Sequence, residues 1–191
     1  MSNAIEIEAK VLVSQDDYKK LAKAFKAHTR YTQTNYYIDD DQLELGKGGI
    51  ALRIREKDDA YTLTLKTPLS QGLLEKNEPL TKKQFEDFRD RGEFPKTDLV
   101  RFLTMLGFDV DKLKIITYLT TDRIDVEIGD GLLSIDRNVY SGKTDYEIEF
   151  EYNNMDGATD ILEKILSEYD VPFKINKATK VQRALKAASE A

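Results

Sequence analysis

Hydrophobic and polar residues alternate from the first segment of the chain. In IEIEAK, Ile5 to Lys10, strand geometry sends Ile5, Ile7 and Ala9 to one side and Glu6, Glu8 and Lys10 to the other. Ser14 stands where a helix cap belongs, before a stretch to about Ala27 that carries Leu21, Ala24, Phe25 and His28 at helical spacing. Strand patterns follow in TQTNYYIDD, IALRIREKDD and AYTLTLKTP, with KDD reading as a hairpin turn between the last two. Residues 81–90 and 96–106 read as short helices, the second stopped by Gly107. KLKIITYLTTDRIDVEIG is strand-like and long enough to break in the middle, and GLLSIDRNVY and TDYEIEFEY are further strands. Helices over about 156–169 and 177–188 close the chain. There is no internal repeat and no low-complexity linker. Roughly eight strands with helices at junctions and ends predict an antiparallel barrel or strongly curved sheet in one α+β domain.

The polar faces of these strands are sorted by sign. LRIRE places Arg53 and Arg55 opposite Leu52 and Ile54, and YTLTLK places Thr62, Thr64 and Lys66 opposite Tyr61, Leu63 and Leu65. YEIEFE sets Glu147, Glu149 and Glu151 against Tyr146, Ile148 and Phe150, while Arg123, Asp125 and Glu127 share a face and Asp136 follows an apolar run. Like charges two residues apart on a strand lie about 7 Å from each other. Their repulsion is roughly 2 kcal/mol at an effective dielectric of about 20. Water and salt screen this on an open face. An enclosed face needs pairing or bound counter-ions. Both a solvated sheet face and a polar, ligand-holding barrel interior therefore fit the pattern. In the second case acids suit a hard divalent cation, and Arg and Lys suit phosphate oxygens.

Composition narrows the chemistry. The 191 residues carry 29 Lys and Arg against 35 Asp and Glu, a formal net charge of −6, which argues against nucleic-acid binding by bulk charge. The absence of cysteine excludes disulfides, thiolate zinc sites and cysteine nucleophiles. His28 is the single histidine and falls at a helix end, so no Ser-His-Asp or Cys-His arrangement is available. No apolar run reaches the roughly 18 residues of a membrane span. No signal-peptide pattern is present either, and the chain reads as soluble and cytoplasmic, without membrane or nucleic-acid partners. Any catalysis falls to carboxylates, lysines, arginines and a metal.

The ordered set EIEAK, LRIR, LTLK, the arginine of TTDR, the aspartate of LLSID, YEIEFE, and the lysine and arginine of TKVQRAL resembles the CYTH superfamily, the triphosphate tunnel metalloenzymes, over residues 5–185. The likeness is greatest to a bacterial branch sharing ALRIREK, LTLKTP, GLLE and TDYEIEFE. The resemblance implies an eight-stranded antiparallel barrel with flanking helices and a charged tunnel. It implies a metal face of Glu6, Glu8, Asp136, Glu147 and Glu149 for Mg2+ or Mn2+, and a triphosphate cradle of Lys10, Arg53, Arg55, Lys66, Arg123, Lys180 and Arg183. Glu6, Glu8 and Lys10 form the implied catalytic set, with Lys10 assisting proton removal if its pKa is lowered. Many relatives carry an arginine after the LTLK strand where this chain offers Glu75 and Glu78, which bears on substrate choice. The function implied is metal-dependent hydrolysis of a triphosphate compound, inorganic triphosphate first, by a monomer or homodimer. A class IV-type adenylate cyclase and a non-catalytic sensor of polyphosphate or nucleotide are the alternatives.

Overall fold

The computed structural model describes residues 2–6, 8–68, 73–152 and 157–190, with 2–6 and 73 by backbone alone. The strands are β1 Ser2–Glu6, β2 Glu8–Val13, β3 Thr29–Asp39, β4 Ala51–Lys57, β5 Ala60–Pro68, β6 Leu73–Leu80, β7 Lys114–Ile128, β8 Gly131–Tyr140 and β9 Lys143–Tyr152. The helices are α1 Gln15–Ala24, α2 Glu44–Lys47, α3 Lys82–Arg91, α4 Asp98–Met105, α5 Ala158–Glu168 and α6 Lys180–Ser189. The strands follow the order β1-β6-β5-β4-β3-β7-β8-β9-β2, and the pairs β2–β9, β3–β4, β4–β5, β5–β6, β7–β8 and β8–β9 are antiparallel. With β1 and β2 counted as one segment flanking residue 7, this is the expected eight-stranded antiparallel sheet with flanking helices.

Three local features differ from the pattern reading. β7 runs unbroken for 15 residues, because it pairs with β8 from Thr120 to Ile128 without a bulge. β6 carries Glu75, Lys76, Glu78 and Pro79, a composition that hides a strand, yet it pairs with β5 from Leu80 to Leu73. α1 stops at Ala24, short of Ala27, with the Phe25 N–H closing on the Leu21 carbonyl. Ser14 caps this helix as expected, its hydroxyl accepting from the Asp17 N–H.

Turn chemistry fixes the registers. Asp58 and Asp59 have φ of 51° and 59° between β4 and β5, and Ser141 and Gly142 have φ of 43° and 73° between β8 and β9. Two successive left-handed residues are the signature of the tight turn whose twist matches paired strands. At the start of β8 a side chain is excluded: a Cβ on Gly131 would stand 2.3 Å from Phe150 Cζ.

The chain divides into two compact units, Met1–Ile5 with Thr34–Tyr118, and Glu6–Gln33 with Leu119–Ala191. In the first, Leu52, Ile54, Leu63 and Leu65 from β4 and β5 pack with Phe85 and Phe88 of α3 and Leu99 and Leu103 of α4. In the second, Val11, Ile124, Ile135, Ile148 and Phe150 from the strands pack with Leu21 of α1 and Leu162 and Leu166 of α5. In each unit the apolar alternate residues are taken up by a core under helices, so the polar alternate residues share the opposite face.

Candidate active site

In the second unit, register assembles the charged face. Pairing sets Lys10 against Glu149 and Glu8 against Glu151. It also sets Asp136 against Glu147 and Arg123 against Asp136. Directly paired residues point to the same side, so these charges converge. Oxygens of Asp136, Glu147 and Glu149 lie within 4.8 Å of one another, and Asp136 and Glu147 are fully buried.

The cations close on this trio. Arg123 donates to both Asp136 oxygens at 2.7 Å and to Glu149 Oε2 at 2.7 Å. Lys180 Nζ stands 3.0 Å from Asp136 and 2.7 Å from Glu147, and it also donates to Glu149. Arg183 grips Glu147 with two N–H donors, at 3.0 and 2.9 Å, and reaches Asp145 at 2.8 Å. Lys180 and Arg183 are three residues apart at the start of α6, which puts them on one helix face. Thr179 caps that helix with a capping box. Just upstream, the Asn176 N–H donates to the Lys10 carbonyl at 2.8 Å, tying the approach to α6 onto β2.

The charges sustain one another. Burial alone would raise the Glu149 pKa, but Lys180 and Arg123 hold it well below the ordinary carboxylate value. Burial likewise opposes the Lys180 charge, yet Glu149, Asp136 and Glu147 raise its pKa above that of a free lysine. Arg123 and Arg183 are also raised against their burial, Arg123 mainly by Asp136 and Arg183 mainly by Glu147. All of them are ionised at neutral pH.

Lys10 is held in the charged form by its neighbours. Its Nζ is 2.5 Å from Glu8, and although burial lowers its pKa, Glu8, Glu149 and Glu147 raise it above the ordinary value. A lysine so held is protonated at neutral pH and cannot take a proton from water. Glu8 itself is exposed and committed to Lys10, outside the buried trio. The Glu6 side chain lies outside the described residues.

In the first unit, β4 and β5 present Arg53, Arg55, Thr64 and Lys66 on one face. Lys66 pairs with Glu75 at 3.0 Å, Arg53 reaches the same carboxylate at 4.0 Å, and Arg55 Nε donates to Asn35 at 3.0 Å. Arg53 Nε is buried without a hydrogen-bond partner among the described residues. The two acids flagged in β6 part company: Glu75 joins the cations, whereas Glu78 accepts the N–H groups of Asp98 and Leu99 at 3.3 and 2.9 Å and caps α4. Residues three apart on a strand face opposite ways.

Two contributors were missed in the sequence. Asp145 continues the period of Glu147 and Glu149 by one step, a signal that was there to read. Asn176 donates to Glu147 at 3.0 Å from a loop with no pattern. The donor chemistry of the trio fits a hard divalent cation: three carboxylates, all oxygen, on the rigid strands β8 and β9. Among the described residues no helix is long and apolar enough to cross a membrane.

Known proteins resemble this chain in sequence and fold. The CYTH domain family matches residues 4–185. The Bacillus subtilis (strain 168) protein named "Putative triphosphatase YjbK" is 35% identical over 181 residues, 93% of this chain and 93% of that protein. The crystal structure of a "putative adenylate cyclase" from Bacillus halodurans superposes with a TM-score of 0.88 at 35% identity, covering 96% of this chain and 98% of that one. "Putative adenylyl cyclase HpAC1" from Hippeastrum, described as revealing a dominant triphosphatase activity, has the same fold, with a TM-score of 0.78 at 22% identity and 96% of each chain covered. Family match, shared identity and fold agree, and the chain belongs to the CYTH domain family.

Proposed function

We propose that this protein is a divalent-metal-dependent hydrolase of triphosphate compounds, with inorganic triphosphate as its leading substrate. The observation that carries the reading is the buried trio Asp136, Glu147 and Glu149, whose charges are met by flexible cationic side chains. Mg2+ or Mn2+ is the cation that this oxygen donor set fits. When bound, such an ion neutralises phosphate charge and polarises a water. Lys180 lies among the same three carboxylates and would have to give them up for a metal to be held there. An ammonium so released suits phosphate oxygens, as do the guanidinium forks of Arg53, Arg55, Arg123 and Arg183. The name of the Bacillus subtilis relative and the activity ascribed to the Hippeastrum protein support a triphosphatase. The name of the Bacillus halodurans relative favours a second reading, ATP cyclisation with the same metal and triphosphate grip.

Phosphate release from triphosphate, ATP, GTP and thiamine triphosphate, with Mg2+ or Mn2+ and with chelator, tests the proposal. Turnover of triphosphate is expected with metal and none with chelator. Glu147→Gln should lose about 100-fold or more while keeping its fold by circular dichroism, because an amide is a poor ligand for a hard cation. Cyclic AMP and pyrophosphate from ATP would establish the cyclase instead, and binding of triphosphate without turnover would establish a sensor.

A further inference from the structure

Gln33, on β3 within the second unit, is 2% exposed, and its side-chain oxygen is buried with no hydrogen-bond partner among the described residues. Other neutral polar side chains of this unit have partners. Tyr31 and Ser134 donate to Asp125 at 2.7 and 2.8 Å, Thr121 donates to Asn138 at 2.8 Å, Asn138 to Asp145 at 2.9 Å, and Asn176 to Glu147 at 3.0 Å. Strand alternation puts Gln33 on the side of Tyr31, whose hydroxyl reaches Asp125, and Asp125 shares its face with Arg123, the residue that bridges Asp136 and Glu149. An unmet carbonyl oxygen thus lies on the face that carries the acid trio. A buried polar group without a partner is rare and costly, and it signals a group that the folded chain does not supply itself.

The missing partner must donate. Ionised triphosphate offers acceptors, and a metal ion offers no proton. Of the reactants of hydrolysis, water is the one with O–H groups to give. We infer that Gln33 is a positioning residue that accepts a hydrogen bond from the attacking water, an inference that rests on the hydrolase reading. In the step it serves, the water oxygen forms a bond to the terminal phosphorus as the bridging P–O bond breaks. The bridging electron pair leaves with pyrophosphate, and the water proton passes to a phosphate oxygen or to solvent. Gln33 takes no proton; it fixes the direction of attack, as an amide side chain can.

The test is steady-state hydrolysis of magnesium triphosphate together with thermal melting, for the parent, Gln33→Leu and Gln33→Glu. Gln33→Leu should lower kcat roughly 10- to 100-fold with KM within about threefold, the scale of a misdirected reactant. It should melt at or above the parent, because an apolar side chain of similar shape replaces an unsatisfied acceptor. Gln33→Glu keeps an acceptor at the same reach and should retain much more of kcat than Gln33→Leu. Three results overturn the inference: parent kcat in Gln33→Leu, a rise in KM with kcat unchanged, or a marked fall in its melting temperature without ligand. A parent without turnover sinks the hydrolase reading and this inference together, whereas an active parent with an equally active Gln33→Leu sinks the inference alone.

Discussion

The two units use one period-two pattern to build unlike charged faces. In the unit of β8, β9 and α6, the three cations at the acid trio each touch more than one carboxylate: Arg123 bridges Asp136 and Glu149, Lys180 contacts three carboxylates, and Arg183 joins Glu147 to Asp145. In the unit of β4, β5 and β6, Glu75 pairs with Lys66 and lies 4.0 Å from Arg53, Arg55 donates to Asn35, and Arg53 Nε has no hydrogen-bond partner among the described residues. The first arrangement is closed on itself, so any loss exposes a buried charge. The second gathers Arg53, Arg55 and Lys66 on one face, a donor chemistry that suits an anion arriving from outside.

Lys180→Met should have the largest effect on stability, because it leaves three clustered carboxylates with less counter-charge. Breaking a buried network by removing one partner costs roughly 3 to 5 kcal/mol. The variant should melt well below the parent, and Mg2+ or Mn2+ should raise its melting temperature more than the parent's by replacing the ammonium. pH sharpens this result. Glu149 titrates below its ordinary value of 4.5 in the folded state, so its contribution is full above that pH and is lost as pH falls below it. Parent stability should therefore drop below about pH 4.5, and less steeply in Lys180→Met, where that carboxylate is less depressed. Equal melting of variant and parent at neutral pH would remove the closed-network description.

Arg53→Ala probes the open face, with a smaller effect that lies in binding. Without ligand the variant should melt close to the parent. Charge-assisted hydrogen bonds to phosphate are worth roughly 1.5 to 3 kcal/mol, so triphosphate affinity measured by calorimetry should fall about 10- to 100-fold. A much lower melting temperature with unchanged affinity would make the two faces alike. The smallest effect belongs to Glu78→Gln, which weakens the cap on α4. It should cost about 1 kcal/mol of stability and leave triphosphate affinity untouched. A change in affinity would return Glu78 to the charged face, where Glu75 stands.

The strand faces were legible because alternation is set by backbone geometry within a few residues. Glu147 and Glu149 could be assigned to one side from EIE alone, and Arg53 and Arg55 from RIR. Glu75 and Glu78 could not be separated until β6 was known to be a strand, since Pro79 and the density of charge disguise it. The registry that brings Asp136 to Glu147 depends on the turn at Ser141 and Gly142, whose left-handed pair is a weaker sequence signal than Asn-Gly.

By itself the sequence determined which residues are charged, which face of each strand carries them, and, through the ordered motifs, the antiparallel α+β fold with its flanking helices. Tertiary structure decided the partners. Lys180 and Arg183 stand against the acids because α6 returns to strands more than thirty residues earlier in the sequence, a proximity that no local pattern shows. The charge state of Lys10 likewise depends on Glu8, Glu149 and Glu147 around it, which raise its pKa against burial. Side-chain direction is a local consequence of covalent geometry, whereas ionisation and pairing depend on distances and burial that exist only once remote segments have been packed together.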